Sequence, residues 1–417
     1  MSVAPIRGLG SNERLEDSKG SEQMRVYSDC AYLPVNVDAI WQLSPFWGSS
    51  QLEKYSVQPK RAARYEKESA SIIQMTNLQD ADVAMFPAEY QLCDSEDGRL
   101  LFNRFTRLAA KAGKPVVVFT GGDLEHPLPY FEGYEFHTSL YRSVRGKNAF
   151  AMPAAIGDIV EEELGGTFPL LSKEPVPSFG FCGFAPPPAG PLISRETLKE
   201  YVRDFLYASG RLSRTRVGYA PRAKAIRALR KSKVVRTDFV LRDYGLFTWA
   251  FGYLLRGRTL GHTWKAHEDR GVTEQRREYL NNLLASPYTL CVRGRGNYSL
   301  RFYEALCCGR IPVFINTDCI LPFEDMIDWK QYCVWVEEDD IPRTADILAD
   351  FHAKISNKTF QELQAACREL WLKYLSPEGF MRTLAGMCTR SNNTGPGEGQ
   401  AKPETYAGPT VPLLCQS

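Results

Sequence analysis

The sequence predicts an α/β protein with two domains, each built on a parallel β-sheet. At 417 residues the chain exceeds what one hydrophobic core usually organises. Short apolar runs alternate with stretches of helical periodicity, and the spacing between the runs leaves room for a crossover helix. The hydrophobic share of 44% and the charged share of 24% are typical of globular proteins, so the chain carries enough apolar material to fold by itself.

Buried strands are predicted where runs of about four to eight apolar residues, many of them β-branched, are bounded by glycine or proline. These runs begin near residues 25, 82, 115, 150, 179, 234, 288, 310 and 332. Helices are predicted over residues 99–112, 192–208, 222–232, 274–285, 299–308 and much of 343–375.

The segment 167–178 contains three prolines and separates two series of predicted strands. We therefore expect an N-terminal domain over 24–170 and a C-terminal domain over 171–390. The two ends, 1–23 and 391–417, are rich in small and polar residues and cannot offset the entropy of ordering, so a mobile N-terminal segment and a disordered tail are expected.

The composition of the chain limits the kinds of partner and compartment that we expect for it. Lysine and arginine number 51 against 49 acidic residues, and a net charge of +2 is too small for sequence-independent nucleic-acid binding. The chain shows no signal-peptide pattern and no apolar run long enough to span a membrane. Its 11 cysteines lie mostly in apolar runs, which favours free thiols in a reducing compartment. These features predict a soluble, cytoplasmic protein.

A metal site has little support in the sequence. There is no CxxC pair, and His262 and His267 lack the spacing of a zinc motif. Asp80 and Asp82 form a DxD pair, but they precede a predicted strand, whereas ligand-binding residues follow one. We therefore interpret the pair as the entrance to that strand.

The segment 211–242 carries 11 basic residues and one acidic residue, Asp238. A solvated helix face is one explanation. The other is an anion patch in which Arg242, at a strand end, reaches phosphates while its neighbours attract an acidic acceptor or an anionic membrane surface. The second explanation predicts peripheral membrane contact.

The segment 288–309 has the densest chemistry and is predicted to form a strand, a glycine loop and a helix. Gly294 and Gly296 allow the backbone to approach a ligand closely, and Ser299 suits the cap of the helix that follows. Helix N-termini bind phosphate, and guanidinium groups pair with phosphate oxygens through two hydrogen bonds. Three arginines surround this point: Arg293, Arg295 and Arg301.

Two nucleotide-binding interpretations fit these residues. In the first, Glu304 lies about 7.5 Å along the helix from Ser299, at roughly 1.5 Å per residue, and accepts hydrogen bonds from ribose hydroxyls. In the second, Gly294, Gly296 and Ser299 approximate a dinucleotide fingerprint, with Asp318 as the ribose-binding acid. Clustered arginines are unusual in that fingerprint, so a nicotinamide-dependent oxidoreductase is the weaker alternative.

Residues 291–329, CVRGRGNYSLRFYEALCCGRIPVFINTDCILPFEDMIDW, resemble the C-terminal signature of the exostosin-like glycosyltransferases. The resemblance implies a GT-B fold of two facing Rossmann-like domains, a nucleotide-sugar donor in the C-terminal domain, inverting chemistry and no bound metal or other cofactor. It also implies that Arg293, Ser299, Arg301 and Glu304 contact the donor. Val292 replaces the proline of the family pattern.

An inverting transfer to an acceptor hydroxyl requires a general base. The loop after the run at 115 is the best candidate, because Gly121 and Gly122 are followed by Asp123, Glu125 and His126. Asp123 is favoured because it comes first after the glycine pair. Glu89 and His137 are weaker candidates. A protein that binds a sugar nucleotide without turnover is the third functional possibility.

Overall fold

The structure, a computed structural model, describes residues 23–47, 63–123, 128–185, 220–242, 270–294 and 296–393. Several predictions from the sequence lie outside these residues. They concern the helix at 192–208, the terminal segments 1–22 and 394–417, residues 211–219 of the basic segment, and the histidines His262 and His267.

The N-terminal sheet has six parallel strands in the order β2-β1-β3-β4-β5-β6. The strands are β1 Met24–Tyr27, β2 Ile73–Met75, β3 Val83–Met85, β4 Val116–Thr120, β5 Gly133–His137 and β6 Ala149–Ala151. Three α-helices accompany them: α1 Ser44–Trp47, α2 Ala63–Ile72 and α3 Glu96–Lys111.

Both faces of this sheet are covered, which explains why β4 is apolar at successive positions. Val116 and Val118 pack with the α3 side chains Phe102 and Phe105. The alternate residues of β4 belong to a second apolar cluster on the opposite face, which includes α2. A fully buried strand of this kind is readily predicted from sequence.

The DxD pair lies at the entrance to β3, as predicted. The backbone N–H and the guanidinium of Arg25 both donate to the Asp82 carboxylate, with an Nη2–Oδ1 distance of 2.6 Å. Burial alone would raise the pKa of Asp82, but the hydrogen bonds from Arg25 outweigh burial and lower it. Asp80 accepts a hydrogen bond from Asn77. The pair therefore stabilises the strand entrance.

The C-terminal sheet has five parallel strands in the order β11-β10-β9-β7-β8. These are β7 Ser178–Phe184, β8 Arg236–Arg242, β9 Tyr288–Cys291, β10 Ile311–Asn316 and β11 Val334–Glu337. The accompanying helices are α4 Ile159–Leu164, α5 Ala220–Lys231, α6 Arg270–Ala285, α7 Leu300–Cys307, α8 Thr344–Lys354 and α9 Asn357–Leu370. Apolar residues of these elements form one continuous core.

The last helix, α10 Pro377–Asn393, packs against the N-terminal sheet although it follows the C-terminal domain in sequence. Phe380 lies beside Phe119, Phe136 and Phe323, with ring-centre distances of 6.3, 5.9 and 5.8 Å. The range 171–390 therefore contributes a helix to the first domain's core. Residues 391–393, expected in the disordered tail, belong to this helix.

The expected class, α/β with two parallel sheets, is confirmed. Two parallel sheets with flanking helices are consistent with the two Rossmann-like units of the GT-B-like fold that the resemblance implied. No helix among the described residues is long and apolar enough to span a membrane. The ten described cysteines are free, and nine of them are buried.

We expect the substitution Phe380→Ala to lower the free energy of unfolding by about 3 to 5 kcal/mol, because it leaves a cavity between α10 and the sheet. The control Phe380→Leu retains most of the apolar volume and should cost less than about 1.5 kcal/mol. Urea denaturation measures both values. Equal, small losses in the two variants would show that α10 does not hold the first domain.

Candidate functional site

The glycine loop connects β9 to α7 at the carboxyl edge of the C-terminal sheet, as predicted. Ser299 is the N-cap of α7, with extended backbone, and its side chain makes no capping hydrogen bond. Gly296 is buried and Gly294 is partly exposed, while Arg295 lies outside the described residues. The start of α7 thus offers backbone N–H groups and a serine hydroxyl to an anion. We call residues 292–299 the donor loop, after the nucleotide-sugar donor that the resemblance implies.

Two of the predicted arginines are held against aromatic rings beside this loop. Arg293 is only 3% exposed, and its Nη2 donates to the hydroxyl of Tyr141 at 2.6 Å. The Arg301 guanidinium lies 4.2 Å from the ring centre of Phe181 and donates to the carbonyl of Cys182 at 2.5 Å. Both charges are therefore fixed in place before any ligand arrives.

A third arginine, Arg222 of α5, joins them. It donates to the carbonyls of Phe184, at 3.0 Å, and Val292, at 3.2 Å, which lie at the ends of β7 and β9. A solvated helix face was one explanation of the basic segment that contains Arg222, and Lys224 and Arg227 of this helix are exposed. The sequence could have distinguished Arg222 from these exposed residues. At helical spacing, Arg222 lies on the same face as Ala225, Ile226 and Leu229, which are buried.

Glu304 lies in α7 and is 8% exposed. Its carboxylate accepts hydrogen bonds from the Tyr279 hydroxyl and, at 3.4 Å, from Arg276. Burial and then the Glu304 charge raise the pKa of Tyr279, so this phenol remains a donor. Glu304 thus balances positive charge at the site, and its predicted contact with ribose stays a prediction.

Arg242 ends β8 and faces α6. Its Nη2 donates to the Glu278 carboxylate at 2.9 Å and to the Gln275 carbonyl at 2.7 Å. The ion pair ties the edge strand of the C-terminal sheet to its neighbouring helix. A role for Arg242 in phosphate binding would require this pair to open.

The loop after β4 faces the donor loop from the N-terminal domain. Gly122 has a φ of 85°, a left-handed conformation that favours glycine, and Asp123 follows it with an exposed side chain. A methyl group built on Gly296 would lie 2.8 Å from the Cα of Asp123, so the two loops touch. The other candidates on this loop, Glu125 and His126, lie outside the described residues.

The two weaker candidates for the base occupy different positions. Glu89 follows β3, and its carboxylate would lie 2.7 Å from a methyl group built on Gly121, so it borders the same loop. His137 ends β5, is buried, and has its Nε2 3.2 Å from Glu135. Glu89 is therefore nearer the contact between the loops.

Polar contacts lock the two domains together around the site. The N–H of Asn297 donates to Ser139 at 2.8 Å, and its side chain bonds to the carbonyls of Leu140 and Asp318 and to the Thr317 hydroxyl. The Asp318 carboxylate accepts hydrogen bonds from Ser143. These hydrogen bonds favour a structural role for Asp318 over the ribose contact that the dinucleotide fingerprint predicted.

No group of three or more His, Cys, Asp or Glu side chains suited to a metal ion occurs among the described residues. Positive charge at the donor loop comes from Arg222, Arg293 and Arg301. The site can therefore hold an anionic group between fixed guanidinium groups, with a carboxylate on the opposite loop.

The Exostosin GT47 domain family matches residues 255–351, which include the donor loop and α7. Exostosin-1 of Drosophila melanogaster is 36% identical over 119 residues, 27% of this chain and 15% of the relative. Residues 255–351 are thus similar to the exostosin-like glycosyltransferases. This confirms the resemblance read from residues 291–329.

Two plant relatives extend the exostosin-like match. A probable beta-1,4-xylosyltransferase of Arabidopsis thaliana is 32% identical over 146 residues, 33% of this chain and 35% of the relative. A probable glucuronosyltransferase of Oryza sativa subsp. japonica is 36% identical over 102 residues, 24% of each chain. The chain thus matches only a minor part of each relative's length.

Among solved structures, S. aureus TarM aligns with a TM-score of 0.32 and 11% identity, covering 73% of this chain and 55% of TarM. This similarity is too weak to inform the site.

We expect Asn297→Ala to lower the free energy of unfolding by about 2 to 4 kcal/mol, because it removes three side-chain hydrogen bonds at the domain boundary and leaves the buried Leu140 carbonyl without this donor. Asn316 is a suitable control, since its side chain bonds to Glu337 and Cys319 within one domain. Asn316→Ala should cost about 1 kcal/mol. Equal losses in urea denaturation would contradict the locking role of Asn297.

Proposed function

We propose that this chain transfers a sugar from a nucleotide-diphosphate sugar to an acceptor hydroxyl. One observation carries the proposal: Arg222, Arg293 and Arg301 gather around the donor loop, and Asp123 faces that loop from the other domain. The related exostosin-like proteins are named as sugar transferases, which favours transfer over the nicotinamide alternative.

In this proposal the diphosphate lies at the start of α7. The backbone N–H groups and Ser299 bind its oxygens, and the fixed guanidinium groups offset its charge. Because these groups are oriented in advance, they also stabilise the additional negative charge that develops as the diphosphate leaves. The arginines thereby supply the charge stabilisation that metal-dependent transferases obtain from a divalent cation.

The chemical step is a single displacement. The acceptor oxygen forms a bond to the anomeric carbon while the bond from that carbon to the diphosphate oxygen breaks. The Asp123 carboxylate takes the hydroxyl proton, and the nucleoside diphosphate leaves with the bonding electron pair. Attack opposite the leaving group inverts the anomeric configuration, as expected for the exostosin-like resemblance.

The donors to test first follow from the names of the relatives, which are a glucuronosyltransferase and a xylosyltransferase. UDP-glucuronic acid and UDP-xylose are therefore the probes, with transfer to a panel of oligosaccharides and hydrolysis by water measured in parallel. The exposed basic residues of α5, including Lys224 and Arg227, would favour an acidic acceptor over a neutral one.

We expect Asp123→Asn to lower turnover by about 100-fold or more while UDP affinity is retained, because the amide cannot take the proton. Asp80→Asn is the control, since Asp80 is an exposed carboxylate at the opposite edge of the same sheet. Initial rates and calorimetric titration with UDP separate the two effects. Full activity in the Asp123→Asn variant would rule out Asp123 and direct attention to Glu89.

A further inference from the structure

The donor loop and the loop that carries Asp123 are in direct contact. A methyl group built on Gly296 would lie 2.8 Å from the Cα of Asp123 and 3.0 Å from its carbonyl oxygen. It would also lie 2.9 Å from the ring of Tyr298. The absence of a side chain at Gly296 therefore allows Tyr298 and Asp123 to approach each other across the domain boundary.

The Tyr298 side chain lies beside Asp123 of the opposite loop. The ring packs against the core of the C-terminal domain, and it lies close enough to Asp123 for the phenol to donate a hydrogen bond to the carboxylate. Burial, then the charge of Asp123 and the hydrogen bond to it, then the charge of Glu89 raise the pKa of Tyr298. The phenol thus stays protonated at working pH and acts as a hydrogen-bond donor.

We infer that Tyr298 is a positioning residue, which holds the Asp123 carboxylate from the same loop that binds the donor. The inference rests on the proposed function, in which Asp123 is the base. It means that the C-terminal domain both binds the nucleotide sugar and orients the proton acceptor of the opposite domain.

The consequence for catalysis is geometric. A carboxylate on an exposed loop after Gly121 and Gly122 has several accessible rotamers, and only some of them point toward the donor. A hydrogen bond from a partly buried, packed ring selects among these rotamers, and a correctly placed base acts without first losing orientational freedom. Tyr298 is therefore expected to affect kcat without contributing to donor affinity.

Tyr298→Phe removes the hydroxyl and keeps the ring. With UDP-glucuronic acid or UDP-xylose as the probe, we expect kcat to fall about tenfold, the effect of one hydrogen bond. UDP affinity and donor KM should stay within twofold of the unmodified chain. Tyr303→Phe is the matched control, because Tyr303 is a buried phenol in the neighbouring turn, and it should leave kcat nearly unchanged.

A double-mutant cycle separates positioning from general support of the loop. In the Asp123→Asn background, Tyr298→Phe should have no further effect on turnover, because the group it positions has lost its function. A tenfold loss in both backgrounds, an unchanged kcat, or a parallel loss of UDP affinity would each overturn the assignment of Tyr298.

The unmodified chain distinguishes failure of the inference from failure of the proposed function. If it binds none of UDP, GDP and ADP and consumes neither probe, the proposed function is wrong, and the role of Tyr298 is wrong with it. If it binds and transfers normally while the cycle shows independent effects, only the inference is wrong.

Discussion

The site depends on the contact between two loops, each at the carboxyl edge of a parallel sheet. Asn297 supplies the central hydrogen bonds of that contact, because it bonds to residues that follow β5 and β10 at once. A buried amide without these partners would cost several times the net gain of one hydrogen bond. The geometry of the cleft is therefore fixed by local polar pairing as well as by the fold.

Buried arginines serve two different purposes in this chain. Arg310 is fully buried, binds only the carbonyls of Leu284, Pro169 and Gly309, and has its pKa lowered to about 10 by burial. It joins α6 to the linker before β7. Arg293, which is buried, and Arg301, which is partly buried, instead lie against aromatic rings beside the donor loop. An anion bound at the donor loop would offset the cost of holding these charges away from water.

The sequence predicted much of this arrangement because continuous apolar runs such as β4, β9 and β10 have few alternatives to burial in a parallel sheet. It missed β5, whose Glu135 and His137 interrupt the apolar pattern, and β2, which follows α2 without a break. The glycine loop and the start of the helix at Ser299 were predicted correctly from residue types, although the Ser299 side chain makes no capping hydrogen bond. Contacts between segments that are distant in sequence, such as Tyr298 with Asp123, cannot be predicted from a single sequence. Only the folded structure shows them.

The central claim is that the donor loop binds a nucleoside diphosphate through fixed guanidinium groups. Calorimetric titration of the unmodified chain and of Arg293→Lys with UDP, GDP, ADP and NAD tests it most directly. The account predicts binding of at least one diphosphate, weakened about tenfold or more in Arg293→Lys, since lysine keeps the charge but loses the planar fork. Tight binding of NAD, with no response to any diphosphate, would contradict it.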